Sequence, residues 1–231
     1  MDLHALGANS PSERVSANFL TEGLLNAREK SWVSAIELCK QLKTGMTESE
    51  AHHFALDFFT SLGVTKHWHR PYICFGPGTA LTFNDSLQKE YRLKEGDPVY
   101  FDFGPVWKSE TGGIEYEGDI GDSYVFGENA IAEKCNAACR QLFNEAQEKW
   151  RTSKANGPEL YRFLETRAKE LGYELTPKVE GHRLSDYPHS KYSKERLSQV
   201  KFTPTPALWV LEVHIVDRKN NIGAFYEDIL L

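Results

Sequence analysis

No apolar run in this sequence approaches the roughly 20 residues that a membrane-spanning helix needs. Met1 to Pro11 lacks both the cationic start and the apolar core of a signal peptide, so a cytoplasmic location is the expectation. Cysteine is scarce, and the spacing of Cys39, Cys74, Cys135 and Cys139 suggests no disulfide framework, in keeping with a reducing compartment. Cys135 and Cys139 fall four apart on an expected helix and could hold a metal, but without a second such pair buried thiols are the better reading. Positive charge is in deficit, with 27 Lys and Arg against 33 Asp and Glu and a net charge of −6. That balance argues against a general nucleic-acid binder and against attachment to an anionic membrane. No residue-level repeat is convincing either.

What is present is an ordinary globular composition in 231 residues, 40% hydrophobic and 26% charged, enough for one sizeable core. The pattern predicts a helix from Ser12 to Lys43, with Leu20, Leu24, Ala27, Trp32, Val33 and Ile36 as its apolar residues. Thr47-Glu48-Ser49-Glu50 has capping-box form and predicts a second helix to about Leu62, carrying His52 and His53 in surface or packing roles. Lys66 to Phe75 reads as a strand with His67 and His69 on one face and Trp68 on the other; pocket lining, metal binding and a solvated edge all fit such a pair. Further helices are expected from about Ala130 to Thr152 and from Asn156-Gly157-Pro158 to Gly172, then a strand from Tyr173 to Val179. Helix, helix, strands therefore occurs twice, which suggests two related α+β halves.

Between these repeats, Val99 to Gly127 reads as an antiparallel hairpin turning at Lys108 to Gly113. Each arm carries an aspartate among apolar neighbours, Asp102 and Asp119. A buried carboxylate is costly without compensation, and a cation is the commonest one, although turn acceptors at strand ends fit these two residues equally well. Glu212 lies between Leu211 and Val213, Glu227 sits on the last apolar strand, and His182 follows a glycine. Four carboxylates and an imidazole converging in a core would be untenable without about two divalent cations, and two ions bridged by shared carboxylates leave room for a hydroxide.

Taken together, D-F-G at Asp102, G-D-I-G-D-S-Y-V-F-G from Gly118, G-H at His182 with His189 seven residues on, the strand glutamate Glu212 and the closing Y-E-D-I-L resemble the pita-bread metallopeptidases. These are the family of methionine aminopeptidases, Xaa-Pro aminopeptidases, prolidases and creatinase. The resemblance runs from about Ser12 to the end. It implies an α+β pita-bread fold of two pseudo-symmetric halves, with a curved, mainly antiparallel sheet covered by helices. Residues 1–231 would form a single catalytic domain with a flexible lead of about eleven residues and no separate prolidase-type N-terminal domain. By the same likeness Asp102 would hold one metal, Asp119 and Glu227 would bridge both, and His182 and Glu212 would complete the other. His189 would bind substrate and its tetrahedral intermediate, Glu212 would take the proton of the attacking water, and Trp68 and His69 would lie near the pocket for the N-terminal side chain.

Two divalent ions are therefore expected, with manganese favoured over cobalt, iron or zinc because the donors are mostly oxygen. The implied activity is hydrolysis of the N-terminal peptide bond of short peptides by a metal-bridging hydroxide, as in Xaa-Pro aminopeptidases and prolidases. A creatinase-like C–N hydrolase and a peptide-binding pseudoenzyme are the alternatives. Expected partners are a peptide or small amide, with no nucleic acid and no membrane, and oligomeric state stays open, a homodimer included. Three features depart from relatives. No histidine stands near Phe83 or Asn84, Phe225 occupies the place of the arginine of proline-directed members, and His189-Ser190 replaces the H-E-E-P of methionine aminopeptidases. If proline selectivity survives without that arginine, Arg183 is the candidate to supply it.

Overall fold

The structure, a computed structural model, describes residues 10–82, 85, 91–109 and 113–231. Expectations for Phe83 and Asn84 lie outside the described residues, as do those for most of the eleven-residue lead and for the tip of the Lys108–Gly113 turn.

Helix α1 spans Thr21–Cys39, not Ser12 to Lys43. The stretch before it makes a short 3-10 turn, Pro11–Glu13, and then an irregular link that turns at Ala17-Asn18, with polar groups claimed from afar. Buried Glu13 accepts hydrogen bonds from Thr205 N and Oγ1 and from Trp209 Nε1. The Arg183 guanidinium donates to the carbonyls of Ser12 and Arg14. The apolar face of α1 also differs from expectation. Leu24, Ala27, Ala35 and Leu38 are buried with Ser31 and Ser34, whereas Leu20, Val33 and Ile36 are exposed.

Helix α2, Glu48–Ser61, starts on the anticipated capping box: Thr47 Oγ1 accepts from Glu50 N, and Glu50 Oε2 accepts from Thr47 N. Its Ala51, Ala55 and Phe59 are fully buried, and His52 Nε2 accepts from Ile73 N at 2.9 Å, a packing role. Helices α3, Ala130–Ser153, and α4, Gly157–Glu170, follow in the second half, the latter capped reciprocally by Asn156 and Glu159.

The strands are β1 (Tyr72–Phe75), β2 (Asp97–Phe103), β3 (Val106–Lys108), β4 (Glu115–Glu117), β5 (Ile120–Phe126), β6 (Glu174–Leu175), β7 (His182–Arg183), β8 (Trp209–Asp217) and β9 (Ile222–Ile229). Among the described residues seven of them form one antiparallel sheet in the order β1-β2-β5-β9-β8-β6, with β7 also on β8. The hairpin exists as two ladders: β2 pairs with β5, and beyond Gly104 and Gly118 the inner strands β3 and β4 pair as a separate small sheet. The expected strands at Lys66–Phe75 and Tyr173–Val179 shorten to β1 and β6. His67 makes only an isolated bridge to Pro105.

Alternation along the strands separates core from site. Leu211, Val213 and Ile215 join α3 and α4 in one apolar cluster, while Val99, Phe101 and Phe103 join α2 in a second. Burying each such side chain contributes about 1.5–3 kcal/mol, so these rows fix the register. The residues between them, Asp102 on β2 and Glu212 on β8, therefore face the other way. No helix among the described residues is long and apolar enough to cross a membrane.

Candidate metal centre

One row of residues crosses the sheet. Asp102 of β2 lies opposite Gly121 of β5, Gly121 opposite Glu227 of β9, and Glu227 opposite Glu212 of β8. Gly121 is required for space, since a Cβ there would lie 2.3 Å from Phe225 Cε1. At this junction the β5–β9 ladder has little main-chain pairing, and Ser123 Oγ bridges it by donating to Phe225 O and accepting from Phe225 N. Asp119 enters immediately ahead of β5, and His182 enters from β7 behind Gly181, whose φ of +64° suits glycine. His182 Nε2 lies 2.9 Å from Asp119 Oδ2, 3.7 Å from Glu227 Oε1 and 3.9 Å from Glu212 Oε1. The structure thus brings together all five residues that the resemblance implied.

His69 joins them from the other side, its Nε2 3.1 Å from both Asp102 Oδ1 and Asp119 Oδ1. Two donor groups result, His69-Asp102-Asp119 and Asp119-His182-Glu227, with Asp119 common to both. In each histidine the far nitrogen is committed, because Nδ1 donates to a main-chain carbonyl, that of Arg70 for His69 and of Arg183 for His182. A neutral ring held this way turns an Nε2 lone pair toward carboxylate oxygens, which is repulsive unless a proton or a cation lies between.

The electrostatics carry the same message. Burial, with Asp119 and Asp102 close by, pushes the Glu227 carboxyl well above its ordinary range, and burial likewise raises Glu212. Burial would raise Asp119 as well, but the His182 and His69 rings hold it well below the usual carboxylate range. For His69 and His182 the effect of burial is to lower the pKa, and their carboxylate neighbours outweigh it and raise both rings. Both Glu227 oxygens, Asp102 Oδ1 and Asp119 Oδ2 are buried without a well-aligned hydrogen-bond donor. Orphaned oxygens of this kind, converging from several strands beside two imidazole nitrogens, fit divalent cations. Glu212 is better provided for: Oε2 accepts from Glu180 N and Gly181 N at 3.1 and 2.9 Å, which leaves Oε1 toward His182.

These groups form the floor of a cavity of about 690 Å³, walled by Trp68, His69 and His189 among others. Trp68 meets His69, His182 and His189 at ring-centroid distances of 5.4, 5.0 and 4.7 Å. Trp68 and His69 thus share the site. His67 turns away against Phe59, and the expected pairing of His67 with His69 fails because the segment is no regular strand. Arg183 is fully buried, its guanidinium bonded to main-chain carbonyls, and is not placed to meet a substrate. Phe225 packs with Cys74, Tyr100 and Val179 beside the acidic row. Asp122 and Asp228, the strand neighbours of Gly121 and Glu227, point to the helical face and pair there with Arg140 and Arg28. Cys135 and Cys139 are buried free thiols.

Sequence reasoning missed Glu117. It is wholly buried and bonds both the backbone N–H and Nδ1 of His189. Its signal was available in E-G-D, an acid two positions before Asp119 across a glycine. A Cβ at that Gly118 would strike Ser31 and Ala27 of α1.

Residues 24–231 match the sequence profile of metallopeptidase family M24. Among curated proteins none matches the chain. Similar solved structures include an X-Pro aminopeptidase from Thermotoga maritima, 18% identical with a TM-score of 0.71 over 90% of this chain and 56% of that one. A prolidase from Pyrococcus horikoshii is 17% identical with a TM-score of 0.69 over 90% and 57%. A methionine aminopeptidase from Thermotoga maritima is 14% identical with a TM-score of 0.66 over 94% of both chains. This chain spans little more than half the length of the first two. At these identities the likeness is one of fold, the pita-bread arrangement.

Proposed function

The chain belongs to metallopeptidase family M24, and from that premise we propose that it is a metal-dependent aminopeptidase that cleaves the N-terminal peptide bond of short peptides. The observation that carries the reading is the convergence of Asp102, Asp119, His182, Glu212 and Glu227, with buried oxygens lacking donors, on the floor of one cavity. Two divalent ions would be held by Asp102 on one side and by His182 and Glu212 on the other, with Asp119 and Glu227 shared. The predominance of oxygen donors favours manganese. When bound, the ions lower the pKa of a water and polarise the scissile carbonyl.

The chain's own residues do the rest. Glu212, held through Oε2 by two backbone N–H groups, keeps Oε1 to take the proton of the attacking water. The acidic floor receives the free α-amine of the substrate, and Trp68 with His69 walls the N-terminal side chain and excludes water. His189 lies against Trp68 and His182 without belonging to either donor group, as befits a group that binds substrate. The buried free thiols suit a cytoplasmic setting.

Phe225 makes the place of the arginine of proline-directed relatives apolar, so selectivity for Xaa-Pro over other dipeptides is expected to be weak. A charge-assisted contact worth about 1.5–3 kcal/mol is missing there. Assay of the manganese-loaded protein against dipeptides and tripeptides, beside small amides, tests the reading. Cleavage of peptides with a free amine and no turnover of N-acetylated ones is expected. Turnover of small amides alone, or of nothing under any metal, would refute it.

A further inference from the structure

Three imidazoles meet in the cavity wall, and they are not held alike. His69 and His182 give Nδ1–H to neutral carbonyls. His189 instead faces a carboxylate, with Nδ1 2.5 Å from Glu117 Oε2 and its backbone N–H 3.0 Å from Glu117 Oε1. A carboxylate accepts and does not donate, so the ring proton of a neutral His189 sits on Nδ1 and Nε2 carries the lone pair. His189 lines the cavity, and among the described residues no hydrogen bond occupies its Nε2.

This arrangement is built from both sides. The strand that carries Glu117 is stitched to the loop that carries His189: Glu117 N–H donates to Ser185 O, Tyr187 N–H donates to Glu115 O, and Tyr116 pairs with Asp186. His182 stacks on the His189 ring at 5.2 Å and Trp68 meets it edge-on at 4.7 Å, so neither rotation nor withdrawal of the ring is free. The small β3–β4 sheet thereby places one carboxylate, Asp119, in the acidic floor and another, two residues earlier, behind an imidazole.

We propose that Glu117 is a positioning residue that holds His189 in the tautomer whose Nε2 accepts a hydrogen bond from the N–H of the scissile amide. The proposal rests on the hydrolase reading above. The α-amine of a peptide is received at the floor, apart from His189, which leaves the neutral Nε2 acceptor at the wall for a neutral N–H. A bond to proline has no such hydrogen. The site therefore favours Xaa-Ala over Xaa-Pro of the same first residue, by roughly 2- to 10-fold for one hydrogen bond.

The test uses Glu117→Gln and Glu117→Asp. Glutamine has one oxygen; if the His189 backbone N–H keeps it, the NH2 faces Nδ1 and drives the ring proton to Nε2. Nitrogen NMR of the ¹⁵N-histidine protein without metal, on the alkaline side of neutrality, with His189 assigned by its loss in His189→Gln, reads the tautomer directly. The wild type and Glu117→Asp should show Nδ1–H, and Glu117→Gln should show Nε2–H. In kinetics, Glu117→Gln should lower kcat/KM for Xaa-Ala by roughly 2- to 10-fold, the worth of one hydrogen bond, with metal content unchanged. It should also narrow the Xaa-Ala preference, and Glu117→Asp should recover much of the loss. An Nε2–H ring in the wild type, or an undiminished Xaa-Ala preference in a Glu117→Gln protein whose ring shows Nε2–H, overturns the proposal. If no metal-loaded form hydrolyses any peptide, the hydrolase reading fails, and the NMR result alone then decides the role of Glu117.

Discussion

Glu227→Gln should make the metal-free protein more stable and the metal-loaded protein less so. The Glu227 side chain is 1% exposed, neither oxygen has an aligned donor, and Asp119 and Asp102 add repulsion to the cost of burial. An uncompensated buried charge costs several kcal/mol, and an amide of the same shape costs less. We expect the variant to gain about 2 kcal/mol without metal near neutral pH, a rise in Tm of roughly 4–8 °C for a chain of this size. The sign of the pH dependence follows from the raised carboxyl. The folded state holds a proton that the unfolded state has released, so metal-free wild type loses stability as pH rises above about 4.5, and the variant does so less steeply. Metal reverses the order. A site filled at 100 times its Kd adds about 2.7 kcal/mol, which the wild type gains and the variant largely forgoes. Melting curves in chelator and in saturating manganese, across pH, measure both effects. A metal-free Glu227→Gln that melts below wild type, or one that manganese stabilises as much as wild type, would refute the reasoning.

Two further outcomes follow. Asp119→Asn should weaken metal binding by about 10²-fold or more, whereas Asp122→Asn should leave occupancy intact and cost no more than about 1 kcal/mol, because burial already offsets much of the partly exposed pair with Arg140; metal analysis beside urea melts separates them, and equal loss of metal in both would contradict the assignment. Burial holds His214 down to about 4 although Thr79 O accepts from it, so stability should fall by about 3 kcal/mol as pH drops from 6.5 through 4. His214→Gln should flatten that slope in urea melts, and an unchanged slope would contradict the reading.

The site was legible as a set rather than residue by residue, and its roles came from the family likeness. Asp102, Glu212 and Glu227 are acids on otherwise apolar strands, and the capping box at Thr47 carries its own local signature. What escaped the sequence depends on distant partners. The start of α1 was misplaced because Arg183 and Trp209, far along the chain, take up the polar groups of residues 12–14. The exposed Val33 and Ile36 show that apolar spacing without its partner surface misassigns a face. Glu117 carries no reading in the sequence, and its role appears only once the loop through Tyr187 is laid along β4. His67 and His69 look equivalent in sequence, and only the irregular backbone between them sends one to the core and the other to the acids.

The central claim is that five residues hold two divalent ions on the floor of the cavity. Equilibrium dialysis of the folded protein against manganese, followed by elemental analysis, tests it most directly. About two ions per chain at neutral pH are expected, falling away below roughly pH 5 as the carboxylates take protons, and the Asp102→Asn, His182→Ala and Glu212→Gln variants should each retain fewer. A well-folded protein that takes up no manganese, cobalt, iron or zinc, or one whose uptake is the same in all three variants, would contradict the account.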